Sequence, residues 1–139
     1  MQTFLPYPDF TLSARSLDRQ RLGKQRVEAL QLLKGSWPNH PASKMWRGYR
    51  RALAAYGIAV CEEWIRRGYK DTCKGKMEAL APPPPEEEPL VLPPWVGDPA
   101  FHRAHQSNLV RKKPDHYAPL FPDVPDDLEY LWPTGEKVA

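Results

Sequence analysis

The sequence has little of what several large classes of protein require. Its 139 residues include only two cysteines, Cys61 and Cys73, too few for a disulfide scaffold or a cysteine-based zinc site. No apolar run approaches the ~18 residues that span a bilayer. The N-terminal stretch MQTFLPYPDF also lacks the basic leader and apolar core of a signal peptide. We therefore expect a reduced, cytoplasmic protein that does not use a membrane.

Familiar catalytic signatures are missing as well. The sequence contains no nucleophile elbow, no phosphate-binding loop and no cluster of metal ligands at a diagnostic spacing. His102 and His105 lie three residues apart, but no further ligand accompanies them, so we expect neither a metal nor another cofactor. Cys61 lies in an apolar stretch and is expected to be core rather than a reactive thiol.

Proline is the residue present in excess. Seventeen prolines predict much irregular structure, and the segment 81–97, which contains APPPPEEEPLVLPP, excludes a regular helix or a central strand. Elsewhere apolar residues recur at helical spacing and no strand pattern persists. We predict an all-α fold: one compact domain over residues 1–139, with three to four main helices, long proline-rich loops and an irregular C-terminal tail. Segment 81–97 should be an extended surface loop.

Capping residues and glycines give the boundaries of the predicted helices. A side-chain oxygen at the start of a helix satisfies free amides of the first turn, and glycine readily ends a helix. On these rules the sequence predicts helices over about 13–34, 42–67, 71–80 and 99–112, the last capped by Asp98. The second of them should bend near Gly57.

The net charge of +3 conceals an asymmetry along the chain. Residues 1–80 carry 15 Lys and Arg against 7 Asp and Glu, whereas residues 81–139 carry 5 against 10. A basic half of this kind suggests a polyanionic partner such as nucleic acid. Alternatively, the two halves are ordinary solvated surfaces that partly pair with each other.

The stretch LDRQRLGKQRVEALQLL, residues 17–33, predicts an amphipathic helix with a cationic face. At 100° per residue, one sector of about 100° contains Arg21, Lys24, Gln25 and Glu28. Leu17 and Leu32 fall on the polar side, so the pattern is imperfect. Glu28 is either an ordinary helix partner of Lys24, four residues earlier, or a catalytic carboxylate set among phosphate-binding groups.

Several stretches resemble a known family. LDRQRLGKQRVEAL resembles the first-helix signature of the pyrimidine-dimer DNA glycosylases of the phage endonuclease V type, in which Gln20, Arg21 and Leu22 are followed six residues after the Leu by Glu28. NHPASKMW and AVCEEWIRRGY resemble the opening and the end of the family's second helix. HRAHQSNLVRKKPDHYAPLF resembles its late helix and aromatic-basic tail. The resemblance covers nearly the whole chain, with segment 81–97 as the main departure.

The resemblance implies an all-helical monomer that binds damaged double-stranded DNA without a cofactor. It also implies that the N-terminal α-amine attacks the sugar carbon bearing the damaged base, and that a Schiff base then permits β-elimination. Glu28 matches the family's essential carboxylate. Because Gln2 is bulky and leaves the initiator methionine in place, the nucleophile would be the α-amine of Met1. Lys24, on the same helix face as Glu28, is the alternative nucleophile.

The resemblance and the basic residues together give a set of candidate DNA contacts. They are Arg21, Lys24, Arg26, His40, Arg47, His102, Arg103, Lys112, Lys113 and Tyr117. Arg26 lies nearer the apolar sector and is also placed to pair with an internal acid. His40 can instead hydrogen-bond within its loop, and Tyr117 can anchor the core. Trp37 and Trp95, on loops, are candidate wedges between base steps.

Three functions are consistent with these patterns. The first is a DNA repair glycosylase with abasic-site lyase activity on pyrimidine dimers or a related lesion. The second is a catalytically silent DNA-binding module of the same fold. The third is a protein-interaction domain that presents PPPPEEEPLVLPP as an extended ligand.

Overall fold

The computed structural model describes residues 2–85 and 88–133, and this part of the chain forms seven helices and no strand. The helices are α1 (Phe10–Ser16), α2 (Arg19–Lys34), α3 (Pro41–Trp46), α4 (Arg50–Arg66), α5 (Lys74–Leu80), α6 (Pro99–Lys112) and α7 (Pro114–Tyr117). The all-α prediction is confirmed. The cap of α6 is also as expected, since the Asp98 carboxylate accepts the Ala100 amide at 3.1 Å. Within the described ranges no helix has both the length and the apolar character to cross a membrane.

The single helix expected over 13–34 is wrong, because the chain leaves the helical conformation at Leu17 and Asp18. Both residues have extended backbone angles, and the Asp18 amide donates to the Tyr117 hydroxyl at 2.9 Å. The break turns Leu17 into the core, where it is fully buried. A continuous helix would have put Leu17 on the polar side, which explains one imperfection of the apolar pattern.

The helix expected over 42–67 is also divided, at residues 47–49. Gly48 has a φ of 85°, which a right-handed helix excludes. The chain therefore breaks here rather than bending at Gly57, and α4 runs through Gly57 without interruption. Gly57 instead permits close packing. A Cβ at this position would lie 3.0 Å from the Ala29 Cβ of α2 and would collide with the Met77 side chain of α5.

The core lies between α2 and α4, with α1 packed on α4 and α5 packed on both. Leu22 and Leu33 of α2 and Tyr56 and Val60 of α4 are almost completely buried, together with Met77 of α5. Burial of each aliphatic side chain contributes roughly 1.5–3 kcal/mol. Since these contacts fix the rotation of α2 about its own axis, they also fix the direction in which its polar residues point.

The proline-rich segment is fastened to the helices through Trp95, which is only 7% exposed. The Trp95 indole donates to the Met45 carbonyl at 3.2 Å, and its ring meets the Trp46 ring edge-on with 4.8 Å between centroids. The Trp95 ring is therefore not available as a wedge between bases. Trp37, in contrast, is 51% exposed.

Residues 2–7, called the N-terminal segment from here on, run through the interior without helical structure. Thr3, Phe4 and Leu5 are buried. The C-terminal tail covers them, because the Tyr130 ring lies edge-on to Phe4 at 6.1 Å and stacks on His105 of α6 at 4.3 Å. The N-terminal segment is therefore an integral part of the packed structure.

Candidate active site around Glu28

Glu28 lies on α2 and lines a cavity of about 170 Å³. The residue is 8% exposed. The cavity is lined by Gln2, Phe4, Gln20, Arg21, Lys24, Gln25, Glu28 and Lys112. The α2 residues share this face because side chains three and four positions apart lie one above the other. Within this lining, one buried carboxylate therefore faces three cationic side chains.

The environment of Glu28 changes its protonation chemistry. Burial raises the pKa of the Glu28 carboxyl above its usual value, although the Lys24 charge, the Gln2 backbone amide and the Gln25 side chain favour the ionised form. The Gln25 bond is direct, since Nε2 donates to Glu28 Oε2 at 3.0 Å. Such a carboxyl exchanges its proton closer to neutral pH than an exposed glutamate does. This property suits a general acid or base.

Gln25 and Tyr56 hold the start of the N-terminal segment beside this carboxylate. Gln25 Nε2 donates to the Gln2 carbonyl at 2.7 Å, and Gln25 Oε1 accepts the Phe4 amide at 3.1 Å. The Tyr56 hydroxyl of α4 donates its single hydrogen to Gln25 Oε1 at 2.5 Å and lies 2.9 Å from the Phe4 carbonyl. The backbone at residues 2 and 4 is therefore bound to the same helix that carries Glu28.

Two aromatic side chains hold Thr3 from opposite parts of the sequence. The Trp46 indole of α3 donates to Thr3 Oγ1 at 3.1 Å. The Tyr130 hydroxyl of the tail donates to the Thr3 carbonyl. Because a buried polar group without a partner costs about 1–3 kcal/mol, these bonds are what allow the polar backbone to pass through the core.

Side chains of α6 hold the second half of the segment. His102 Nδ1 donates to the Leu5 carbonyl at 2.7 Å, and His105 Nδ1 accepts the Leu5 amide at 3.0 Å. Gln106 Nε2 donates to the Pro6 carbonyl at 2.7 Å. The three side chains project from one face of α6, because positions three and four apart coincide on a helix.

The two histidines therefore have internal roles. His102 was expected to contact DNA, but it is buried, and its Nε2 accepts the Gly97 amide at 2.8 Å. Both of its ring nitrogens are thus engaged within the protein. Burial, together with the nearby His102, lowers the pKa of His105 to about 3, so this ring stays neutral. Among the described residues, no three His, Cys, Asp or Glu side chains are placed to share a metal ion.

Three candidate DNA contacts meet at the cavity. Arg21 Nη1 lies 3.3 Å from Asp18 Oδ1, which holds the guanidinium in place. Lys112 reaches the same cavity from α6, and its pKa is lowered by burial and by the charges of Arg21, Arg111 and Lys24. Repulsion among cations is relieved when an anion such as a phosphate binds between them. Arg21, Lys24 and Lys112 are therefore suited to hold a polyanion next to Glu28.

Arg26 and Tyr117 have the internal roles that were predicted from the sequence as alternatives to DNA contact. Arg26 Nη1 lies 2.5 Å from Asp71 Oδ1, and its guanidinium lies 4.5 Å from the centroid of the Trp64 ring. The Tyr117 hydroxyl is buried and donates to Asp18 Oδ1. Both side chains support tertiary structure, and neither lines the cavity.

His40, Arg47, Arg103 and Lys113 also lie outside the cavity lining. His40 Nδ1 accepts the Ala42 amide at 3.0 Å and so caps α3. The guanidinium groups of Arg47 and Arg103 donate to backbone carbonyls at 2.6 Å and 3.0 Å. Lys113 is exposed at the end of α6. DNA contact by these four residues stays a prediction.

Sequence reasoning missed most of the side chains that hold the N-terminal segment. They are Trp46, Tyr56, His105, Gln106 and Tyr130, with Gln25 noted on the cationic face but given no role. The amide side chain of Gln25 on a charged helix face was the one available signal in the sequence. The other partners lie up to 127 positions from the backbone they bind. Met1, the expected nucleophile, lies outside the described residues.

These observations define a small helical protein whose cavity is lined by three cationic side chains, one buried carboxylate and Gln2. Residues 1–77 match the family described as pyrimidine dimer DNA glycosylase. The match covers more than half of the 139 residues, and the chain belongs to this family. It includes Gln2 and Glu28 but not Lys112. The chain has no significant match among curated proteins or among solved structures.

Proposed function

We propose that the protein is a DNA repair glycosylase with abasic-site lyase activity, which acts on pyrimidine dimers or a related base lesion. In this proposal the α-amine of Met1 is the nucleophile and Glu28 is the essential carboxylate. The observation that carries the proposal is the position of Gln2, whose backbone amide favours the ionised form of Glu28 and whose carbonyl accepts from Gln25 at 2.7 Å.

Covalent geometry links Gln2 to the proposed nucleophile. The α-nitrogen of residue 1 is three bonds from the Gln2 amide nitrogen, and bonds of about 1.3–1.5 Å keep the two atoms within about 4 Å. Under this proposal, an anchored Gln2 would keep the amine in the neighbourhood of Glu28. The hydrogen bonds along residues 2–6 have a clear purpose under this proposal, because a nucleophile at a chain end must be held against large conformational freedom.

The chemistry suits an α-amine. An α-amino group has a pKa of about 7.7–8.0 against about 10.4 for lysine, so far more of it is unprotonated at neutral pH. Its lone pair forms a bond to C1′ of the sugar as the glycosidic bond breaks and the base leaves with the bonding electrons. After ring opening gives a Schiff base, removal of a C2′ proton expels the 3′ phosphate. Glu28 would stabilise the cationic sugar and transfer these protons.

The cavity also favours DNA as the substrate. Arg21, Lys24 and Lys112 would neutralise backbone phosphates on either side of the lesion, with an affinity that falls steeply as salt concentration rises. A sugar carbon in a stacked duplex is not accessible to a buried carboxylate. Binding would therefore require a kinked duplex and an extruded nucleotide.

Borohydride trapping tests the proposal. Duplex oligonucleotides with one cyclobutane pyrimidine dimer or one abasic site are incubated with the protein and reduced, and the cross-linked peptide is identified by mass spectrometry. We expect an adduct at the α-amine of Met1, and we expect none from a chain extended at its N-terminus. Glu28→Gln should slow strand cleavage by about 10²–10⁴-fold. Glu62→Gln, at an exposed position on α4, is the matched control.

The other outcomes each contradict part of the proposal. An adduct on Lys24 would replace Met1 as the nucleophile. The absence of any adduct, with salt-sensitive DNA binding retained, would identify a silent binding module. Failure to bind DNA at low salt would overturn both enzymatic and binding functions.

A further inference from the structure

Among residues 2–85 and 88–133, Gln25 is the one side chain that bonds directly to both the N-terminal segment and Glu28. It is 2% exposed. Its Nε2 donates to the Gln2 carbonyl at 2.7 Å and to Glu28 Oε2 at 3.0 Å. Its Oε1 accepts the Phe4 amide at 3.1 Å and the Tyr56 hydroxyl at 2.5 Å. Both donor hydrogens and both acceptor lone pairs of the amide are therefore used.

We infer that Gln25 is a positioning residue, which fixes the distance between the backbone that carries the nucleophile and the Glu28 carboxylate. This inference rests on the proposed function and extends it to a residue that makes no contact with the reacting atoms. A planar amide with four bonds has no remaining rotation, so it transmits the position of α2 directly to residues 2 and 4.

The orientation of the amide is determined by its partners. The Phe4 amide can only donate, so the Gln25 atom that faces it is the oxygen. The Gln2 carbonyl can only accept, so the atom that faces it is the nitrogen. A flipped amide would lose both bonds and place its oxygen against the Glu28 carboxylate. The arrangement therefore has one stable state.

Tyr56 fixes the amide from the opposite side. Its hydroxyl donates to Gln25 Oε1 at 2.5 Å and accepts the Phe4 amide at 3.2 Å, and it lies 2.9 Å from the Phe4 carbonyl. Burial raises the pKa of Tyr56 well above its usual value, so the hydroxyl keeps its proton and remains a donor. Gln25 is thus supported by α4 as well as by its own helix.

Gln25 also affects the charge state of Glu28. The groups that act on this carboxylate are Lys24, the Gln2 amide, the Gln25 amide, Tyr56, Tyr130 and the proposed α-amine, with Arg21 and Lys112 in the same cavity. Loss of the Gln25 donor would remove a bond that favours the ionised form. The acid limb of the pH–rate profile should then move to higher pH.

Two variants test the inference with separate effects. Gln25→Met keeps the length of the side chain and removes all four bonds. Gln25→Glu keeps an oxygen that accepts from Phe4 and Tyr56, but it replaces the two donated bonds by a carboxylate oxygen that faces Glu28 and repels its negative charge. Gln31→Met, on the same helix and outside the cavity lining, is the matched control for the first variant.

The measurement is the single-turnover rate of borohydride-trapped adduct on an abasic-site duplex at saturating protein, over a range of pH. We expect both Gln25 variants to react at least about tenfold more slowly than the wild type, because small displacements of reacting groups have large effects on rate. Their acid limbs should lie at higher pH, while affinity for a tetrahydrofuran-containing duplex should change by less than about threefold. Thermal unfolding monitored by circular dichroism establishes that each variant is folded.

The possible failures are distinguishable. A folded Gln25→Glu protein that reacts at the wild-type rate with an unshifted pH profile would overturn the positioning role and leave the proposed function intact. A uniform loss of DNA affinity with an unchanged saturated rate would assign Gln25 to binding and also overturn the inference. A wild-type protein that forms no adduct would overturn the proposed function, and the inference with it.

Discussion

Asp18 and Tyr117, 99 positions apart in the chain, bind each other through two hydrogen bonds. The Asp18 amide donates to the Tyr117 hydroxyl, and that hydroxyl donates to Asp18 Oδ1. The same carboxylate oxygen accepts from Arg21 at 3.3 Å. The pair therefore stabilises the break between α1 and α2 and links it to α7. It also holds Arg21, one of the cations that line the cavity.

Replacement of Tyr117 by Phe tests this relationship. Burial raises the pKa of Asp18, but hydrogen bonds from Tyr117 and Arg21 outweigh it, so the pKa lies below its usual value. A group whose pKa is lowered by folding stabilises the folded protein at pH values above its unfolded-state pKa. This stability is lost as the pH falls through the folded-state pKa. Tyr117→Phe should lower the free energy of unfolding by about 1–3 kcal/mol at pH 7. The difference from the wild type should shrink in acid.

Urea unfolding at several pH values measures both effects. Tyr69→Phe, at an exposed ring just after the end of α4, is the matched control. Equal stability of Tyr117→Phe and the wild type at pH 7 would show that the buried hydroxyl is not needed to stabilise Asp18.

Arg26 and Arg21 lie five positions apart on α2 and should behave oppositely when each is replaced by Met. Arg26→Met leaves Asp71, whose side chain is 1% exposed, without its charged partner. We expect a loss of about 3 kcal/mol in stability and no change in the salt dependence of DNA binding. Arg21→Met should reduce the slope of log affinity against log salt by about one and cost less stability.

Fluorescence anisotropy with a damaged duplex at a series of salt concentrations, combined with urea unfolding, separates the two arginines. A reduced salt slope in Arg26→Met would mean that this guanidinium leaves Asp71 to contact DNA. An unchanged slope in Arg21→Met would exclude Arg21 from the phosphate-binding set.

His105 should make the protein sensitive to acid. Its pKa is about 3 in the folded protein, against 6.5 for an ordinary histidine. The unfolded chain therefore binds more protons between these values. The contribution of His105 to the free energy of unfolding is fully present above pH 6.5. It is lost as the pH falls, at up to about 1.4 kcal/mol per pH unit.

His105→Asn keeps an oxygen that can accept the Leu5 amide but removes the titrating group. We expect a lower stability at pH 7, because the smaller side chain leaves a cavity, and a shallower decline between pH 6.5 and 4. The slopes of unfolding free energy against pH give the comparison. An equally steep decline in His105→Asn would assign the acid sensitivity to other groups.

The helices and the cationic face of α2 could be predicted from the sequence because their causes are local. Helical spacing placed Arg21, Lys24, Gln25 and Glu28 on one face, and the structure puts all four in one cavity lining. The breaks at Leu17 and Gly48 were not predicted, and a continuous helix was expected through each of them. The first depends on Tyr117 and on burial of Leu17, which are tertiary effects.

The sequence by itself determined the all-α class, the cap of α6, and the amphipathic helix that carries Glu28, since these follow from periodicity and capping chemistry within a few residues. Only the tertiary structure decided which cations stand beside Glu28 and which are internal partners, as the contrast between Lys112 and Arg26 shows. It also decided that the backbone at Gln2 and Phe4 is bound to the helix that carries this carboxylate. The physical reason is that a buried backbone must satisfy its polar groups. Here the partners come from helices and a tail up to 127 positions away.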